Sequence, residues 1–199
     1  HTVEHEMNSD GIGYIRITEF DSVTYDQFAS ALEDLEAQGM TGLVIDLRDN
    51  PGGNLDTVCD ILDLILPEGT IVSTKDKNGE GETYTSDEEH KLEIPLSVLT
   101  NGNSASASEI FAGAVQDYGV GTLVGTTTFG KGIVQQIFPL TDGTSIKLTI
   151  SEYFTPKGRN IHGTGIDPDV EVEYEYNEED PAADNQLEKA IEIVKGNGM

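Results

Sequence analysis

The spacing of apolar residues changes several times along the chain, and each change predicts an element. Residues 11–20 read as a strand. Over 24–39, Phe28, Leu32 and Leu35 recur at helical spacing behind Thr24, a residue type that caps helices. That run stops at Gly39, which suits the position just past a helix. A nearly unbroken apolar run over 42–47 passes into Asp49-Asn50-Pro51-Gly52-Gly53, the pattern of a buried strand entering a tight loop. Helical spacing resumes over 55–66. Short strands are expected at 70–74 and 96–100. The polar, acid-rich stretch 75–93 between them has little to bury and is expected as a loop or small hairpin flap.

Further along, 106–118 predicts a helix and 121–125 a strand, and 133–140 with 145–151 predicts a hairpin turning at Asp142-Gly143. The acidic stretch 177–184 reads as loop, and Leu187, Ala190, Ile191 and Val194 mark a last amphipathic helix. Strands and helices alternate through the centre. The predicted class is therefore α/β, with helices packed on a mixed, largely parallel sheet.

Composition narrows the picture. A chain of 199 residues can bury one sizeable core, so a single domain over 1–199 is expected, with the possible flap at 75–93. No apolar run approaches the ~18 residues that cross a bilayer, and no membrane contact is expected from this chain. Eleven Lys and Arg against 37 Asp and Glu give a formal net charge of −26, which repels nucleic-acid phosphates and anionic lipid, so a nucleic-acid partner is not expected. The single Cys59 rules out an intramolecular disulfide and a cysteine metal cluster. Residues 1–10 lack the basic flank and apolar stretch of a secretory signal, and the abrupt start of the first strand suggests that an upstream portion of a longer protein is missing.

Candidate chemistry centres on Asn101-Gly102-Asn103-Ser104-Ala105-Ser106-Ala107-Ser108-Glu109, a run of small residues between an expected strand and an expected helix. Ser106 and Glu109 fit the Ser-x-x-Glu capping box, which would make this a well-capped helix and nothing more. A helix N-terminus also presents unpaired N–H groups and a positive dipole end, which suit a developing oxyanion beside a nucleophilic hydroxyl. Such a serine needs a base. His1, His5, His90 and His162 are scattered, although a triad assembles in space rather than in sequence. Burial can lower an amine from its ordinary pKa of ~10.4 toward neutrality, so a lysine can also take the proton. Lys131 lies in Thr128-Phe129-Gly130-Lys131-Gly132, flanked by glycines, where it is either such a base or an exposed turn lysine.

Ser104-Ala105-Ser106-Ala107-Ser108-Glu109 and Thr128-Phe129-Gly130-Lys131-Gly132-Ile133-Val134-Gln135 resemble the active-site blocks of the C-terminal processing (tail-specific) peptidases. Asp46-Leu47-Arg48-Asp49-Asn50-Pro51-Gly52-Gly53 resembles a third block. The stretches from Phe154 to Gly163 and from Gly165 to Asp169 resemble further ones. The blocks stand in the family's order, and the similarity runs over about 14–172.

The resemblance implies a crotonase- or Clp-protease-like core and a Ser/Lys serine endopeptidase acting at or near protein C-termini. It implies Ser106 as nucleophile, Lys131 as general base and Gln135 as the residue that orients the lysine amine, with Gln136 as a neighbouring comparison. It further implies an oxyanion hole made by the Gly53 and Ala107 N–H groups, and structural roles for Asp46, Asp49 and Glu109. No metal or organic cofactor is required. Expected partners are proteins or peptides with accessible C-termini, and the expected location is extracytoplasmic. Family members usually carry a PDZ domain ahead of these blocks, and the residues before Gly11 are too few to form one. Two other readings stand beside this one: a scaffold or inactive fragment that binds protein partners, and a crotonase-like enzyme acting on acyl thioesters.

Overall fold

The computed structural model describes residues 1–87 and 89–196, so position 88 of the expected flap lies outside the described residues. In chain order the elements are β1 (Val3–Met7), β2 (Ile12–Ile17), α1 (Thr24–Ala37), β3 (Gly42–Asp46), α2 (Leu55–Asp63), β4 (Gly69–Lys75) and β5 (Thr83–Ser86). They continue with β6 (Leu96–Thr100), α3 (Ala107–Tyr118), β7 (Thr122–Gly125), β8 (Ile133–Pro139), β9 (Ser145–Phe154), β10 (Val170–Glu171) and α4 (Asn185–Val194).

Six strands form one sheet in the order β1-β2-β3-β6-β7-β10. Its β1–β2 pair is antiparallel and its other neighbouring pairs are parallel. A second, antiparallel sheet runs β5-β4-β9-β8. The mixed, largely parallel sheet with packed helices is thus what the chain forms. Successive strand residues point to opposite faces. In β3, Leu43 and Ile45 enter the cluster that also holds α1, α2 and α3, while Val44 enters a second cluster with Ala190 and Val194 of α4. In β6, Val98 and Leu99 divide in the same way, as do Leu123 and Val124 in β7. A strand covered on both faces must be apolar throughout, which is why 42–47 reads as a run and not as an alternation. Each such Leu or Ile contributes about 1.5–3 kcal/mol by leaving water.

The elements differ from the sequence reading at several places: α2 ends at Asp63 where helical spacing runs to 66, and the short β10 is not among the expected strands. β1 has no counterpart among the expected strands, because only Val3 of its five residues is buried and the strand forms by pairing along β2. Thr24 is the first residue of α1 and not its cap. Val23 occupies the cap position, and Thr24 Oγ1 accepts from the Asp21 N–H (2.8 Å) and donates to the Glu19 carbonyl (3.0 Å), bracing the loop that enters the helix. Gly39 does close α1 with φ of 82°, and the Met40 N–H returns to the Leu35 carbonyl at 3.1 Å. Within 75–93, β5 folds back on β4.

Arg48, just past β3, connects the sheet to α4. It donates to Asp46 beside it, pairs with Asp184 at 2.8 Å and donates to Gln186 Oε1 at 3.0 Å. Asp184 is the α4 N-cap and accepts the Gln186 and Leu187 N–H groups. Among the described residues no helix is long and apolar enough to cross a membrane.

Candidate active site

Two loops leave the carboxyl ends of the adjacent parallel strands β3 and β6, the region where open α/β sheets form their crevices. They are bonded to each other. The Ala105 N–H and Ser108 Oγ both donate to the Asn50 carbonyl at 3.0 Å, and Ser104 Oγ donates to the Leu47 carbonyl at 2.8 Å. Asn50 is fully buried; its amide donates to the Ile17 carbonyl and its Oδ1 accepts the Gly52 N–H, each at 2.8 Å. Asp49 accepts from Asn103 (2.8 Å) and Asn101 (3.0 Å), and these hydrogen bonds hold its carboxyl below the usual carboxylate range. Ser104 and Ser108 are thereby committed to the loop contact. Ser106, between them, is the serine that lines a cavity of about 480 Å³.

Ser106 sits at the N-cap of α3 with φ 57° and ψ −113°, a left-handed conformation that costs a non-glycine residue about 1–3 kcal/mol. The same cavity is lined by Gly53, Ala107, Lys131 and Gln135, so the five residues singled out in the sequence are brought together. Among the described residues, neither the Gly53 N–H nor the Ala107 N–H has a hydrogen-bond partner. Glycine is required in this loop on steric grounds. A Cβ at Gly52, where φ is 99°, would stand 2.6 Å from the Ala105 carbonyl oxygen, and one at Gly53 would stand 2.0 Å from that of Phe20.

The β8–β9 register shifts between Val134 and Gln135, leaving Ile150 of β9 as the extra residue, and Ile133, Val134 and Gln135 all reach the cavity. Gln136 does not line it, nor does any of the four histidines. No hydrogen bond joins Ser106, Lys131 and Gln135 side chains to one another among the described residues; the Gln135 amide donates to Thr149 Oγ1 at 3.5 Å. Lys147 of β9 is a second lysine on the cavity wall.

Two side chains that sequence reasoning did not place in the site bind both ends of the Ser106–Lys131 pair. Glu109 has no exposed surface, and its carboxylate accepts the Ser106 N–H (2.9 Å), the Lys131 N–H (2.8 Å), the Gly130 N–H (2.7 Å) and the Thr128 hydroxyl (2.7 Å). The capping-box spacing forecast the first of these bonds. Tyr153 of β9, 2% exposed, donates its hydroxyl to the Lys131 carbonyl at 2.6 Å and stands 3.0 Å from the Ser106 carbonyl oxygen. No local sequence signal marks Tyr153.

Residues 11–172 match the model of peptidase family S41. The chain is 45% identical over 188 residues to a carboxyl-terminal-processing protease of Synechocystis, covering 93% of this chain and 44% of that protein. It is 42% identical over 170 residues to the carboxy-terminal processing protease CtpB of Bacillus subtilis, covering 85% of this chain and 35% of that one. Among solved structures, the photosystem II D1 C-terminal processing protease superposes with a TM-score of 0.81 at 30% identity, over 100% of this chain and 53% of its own. The chain therefore spans less than half the length of these two curated relatives.

Proposed function

The chain belongs to peptidase family S41, and from that membership we propose that it is the catalytic core of a serine endopeptidase that cleaves proteins at or near their C-termini by a Ser/Lys mechanism. One observation carries the residue assignment: Ser106, Lys131 and two unpartnered N–H groups, of Gly53 and Ala107, share a single cavity at the start of α3.

In this mechanism Ser106 Oγ attacks the scissile carbonyl carbon while the unprotonated Lys131 amine takes the hydroxyl proton. Charge collects on the former carbonyl oxygen, where the Gly53 and Ala107 N–H groups and the positive end of α3 stabilise it. Collapse of the tetrahedral intermediate breaks the C–N bond, and Lys131 returns the proton to the leaving amine. The acyl ester on Ser106 is then hydrolysed by water, with Lys131 again accepting a proton, which releases the new carboxylate and restores the serine. Gln135, on the same wall, is the residue assigned to orient the lysine amine. Substrates are unstructured protein tails, and the location is extracytoplasmic, as the resemblance to C-terminal processing proteases suggests.

The test is turnover of an unstructured peptide together with labelling by a serine-directed acylating probe. Ser106→Ala is expected to abolish both. Lys131→Ala is expected to lower turnover by about 10²- to 10⁴-fold, the usual contribution of a general base, and Lys147→Ala to lower it far less. Parental rates in the Ser106→Ala and Lys131→Ala proteins would refute the assignment.

A further inference from the structure

The Ser106–Lys131 pair is assembled from two segments that meet only through the fold, the start of α3 and the turn before β8. Glu109 fixes the N–H side of both residues. The carbonyl side of both is held by one group, the Tyr153 hydroxyl, 2.6 Å from the Lys131 oxygen and 3.0 Å from the Ser106 oxygen. We propose that Tyr153 is a positioning residue for the reaction assigned above, setting the distance between nucleophile and base by tying their two main chains to one buried hydroxyl. This rests on the Ser/Lys reading and adds a residue to it.

The bonding is unequal, and the inequality identifies what Tyr153 supplies. The Ser106 carbonyl also accepts the Glu109 and Ile110 N–H groups at 2.9 and 3.0 Å, as an N-cap carbonyl does. Among the described residues the Lys131 carbonyl has no partner except Tyr153. Next to it, the Gly132 carbonyl accepts the Tyr153 N–H at 3.1 Å. Tyr153 therefore holds two consecutive carbonyls of the turn that carries Lys131, and its hydroxyl braces that turn against the cap of α3. Burial first, and then the nearby Glu109 carboxylate, push the phenol well above its ordinary range, so it remains a donor at any working pH. Because the phenol ring is packed in the core, the brace is rigid. A loose turn would leave Lys131 free to swing away from Ser106, and a misplacement near 1 Å costs about 10²-fold in rate.

The experiment compares the parent chain with Tyr153→Phe, measuring kcat and KM on an unstructured peptide, the rate of Ser106 acylation by a serine-directed probe, and the melting midpoint. The expected result is a fall of about 10- to 100-fold in kcat and in acylation rate, with KM within about twofold. A folded Tyr153→Phe protein with parental kcat overturns the proposal. Should Phe at 153 prevent folding, 4-fluorophenylalanine placed at 153 fills the space of the hydroxyl without donating a hydrogen bond. The same fall of about 10- to 100-fold in kcat and acylation rate is then expected in the folded protein, and a parental kcat overturns the proposal. Parallel Ser106→Ala and Lys131→Ala proteins separate the two ideas. If they keep activity, or if the parent neither cleaves nor labels, the Ser/Lys reading falls and Tyr153 falls with it. If they lose activity while Tyr153→Phe does not, the positioning role alone is wrong.

Discussion

Ser104, Ser106 and Ser108 alternate along one short segment, and their surroundings give them different work. The outer two hydroxyls donate to the Leu47 and Asn50 carbonyls, so Ser104→Ala or Ser108→Ala should each cost about 0.5–1.5 kcal/mol, read as a lower melting midpoint, with Ser106 still open to a serine-directed probe. Glu109 carries more. Glu109→Ala would strand three N–H groups and one hydroxyl, at about 1–3 kcal/mol each when buried, and a loss above ~3 kcal/mol is expected in urea denaturation. Sequence reading reached Glu109 as a capping partner because that contact is three residues away. It could not reach Thr128, Gly130 and Lys131, which arrive about twenty residues later by way of β7, nor Tyr153, which comes from the second sheet. That Ser106 and Lys131 line one cavity was legible through the family resemblance; the side chains that bond their main chains were not.

Elements with a strong apolar period were legible, and those formed by pairing or by local bonding were less so. β3, β6 and β7 are named by burial on both faces, whereas β1 exists through its neighbour and the cap of α1 is displaced by a hydroxyl that serves the preceding loop. Docking of α4 rests on a titratable contact. Burial works to raise the Asp184 pKa, but the Arg48 bond and the Leu187 and Gln186 N–H groups outweigh it and leave the carboxyl lowered. A carboxyl lowered in the folded state adds stability that is complete above its unfolded pKa and is lost as pH falls through the folded value. Acidification below about pH 4 should therefore release α4. Faster amide hydrogen exchange over 185–194 than over α3 at that pH is the expected sign. Asp184→Ala, which removes both cap and ion pair, should cost about 1–2 kcal/mol at neutral pH and remove the acid-induced loss of protection in α4 relative to α3.

At the scale of the molecule, strands β3, β6 and β7 belong to both apolar clusters at once, which favours a single cooperative unit over the described residues. One unfolding transition, coincident by fluorescence and circular dichroism, is the expected result. A net charge of −26 acts against that compact state through self-repulsion. Raising ionic strength from about 10 mM, where charges interact over ~30 Å, to about 0.15 M, where they interact over ~8 Å, should therefore raise the melting midpoint. The Arg48 contact to Asp184 and Gln186 joins the last helix to the strand end from which the Gly52-Gly53 loop departs. Load applied at the C-terminal end of this chain would meet the Lys195–Asp10 ion pair and the packing of Val194 against the sheet first, whereas loosening the first turn of α4 would free the Arg48 guanidinium and act on that loop without touching any residue inside the cleft.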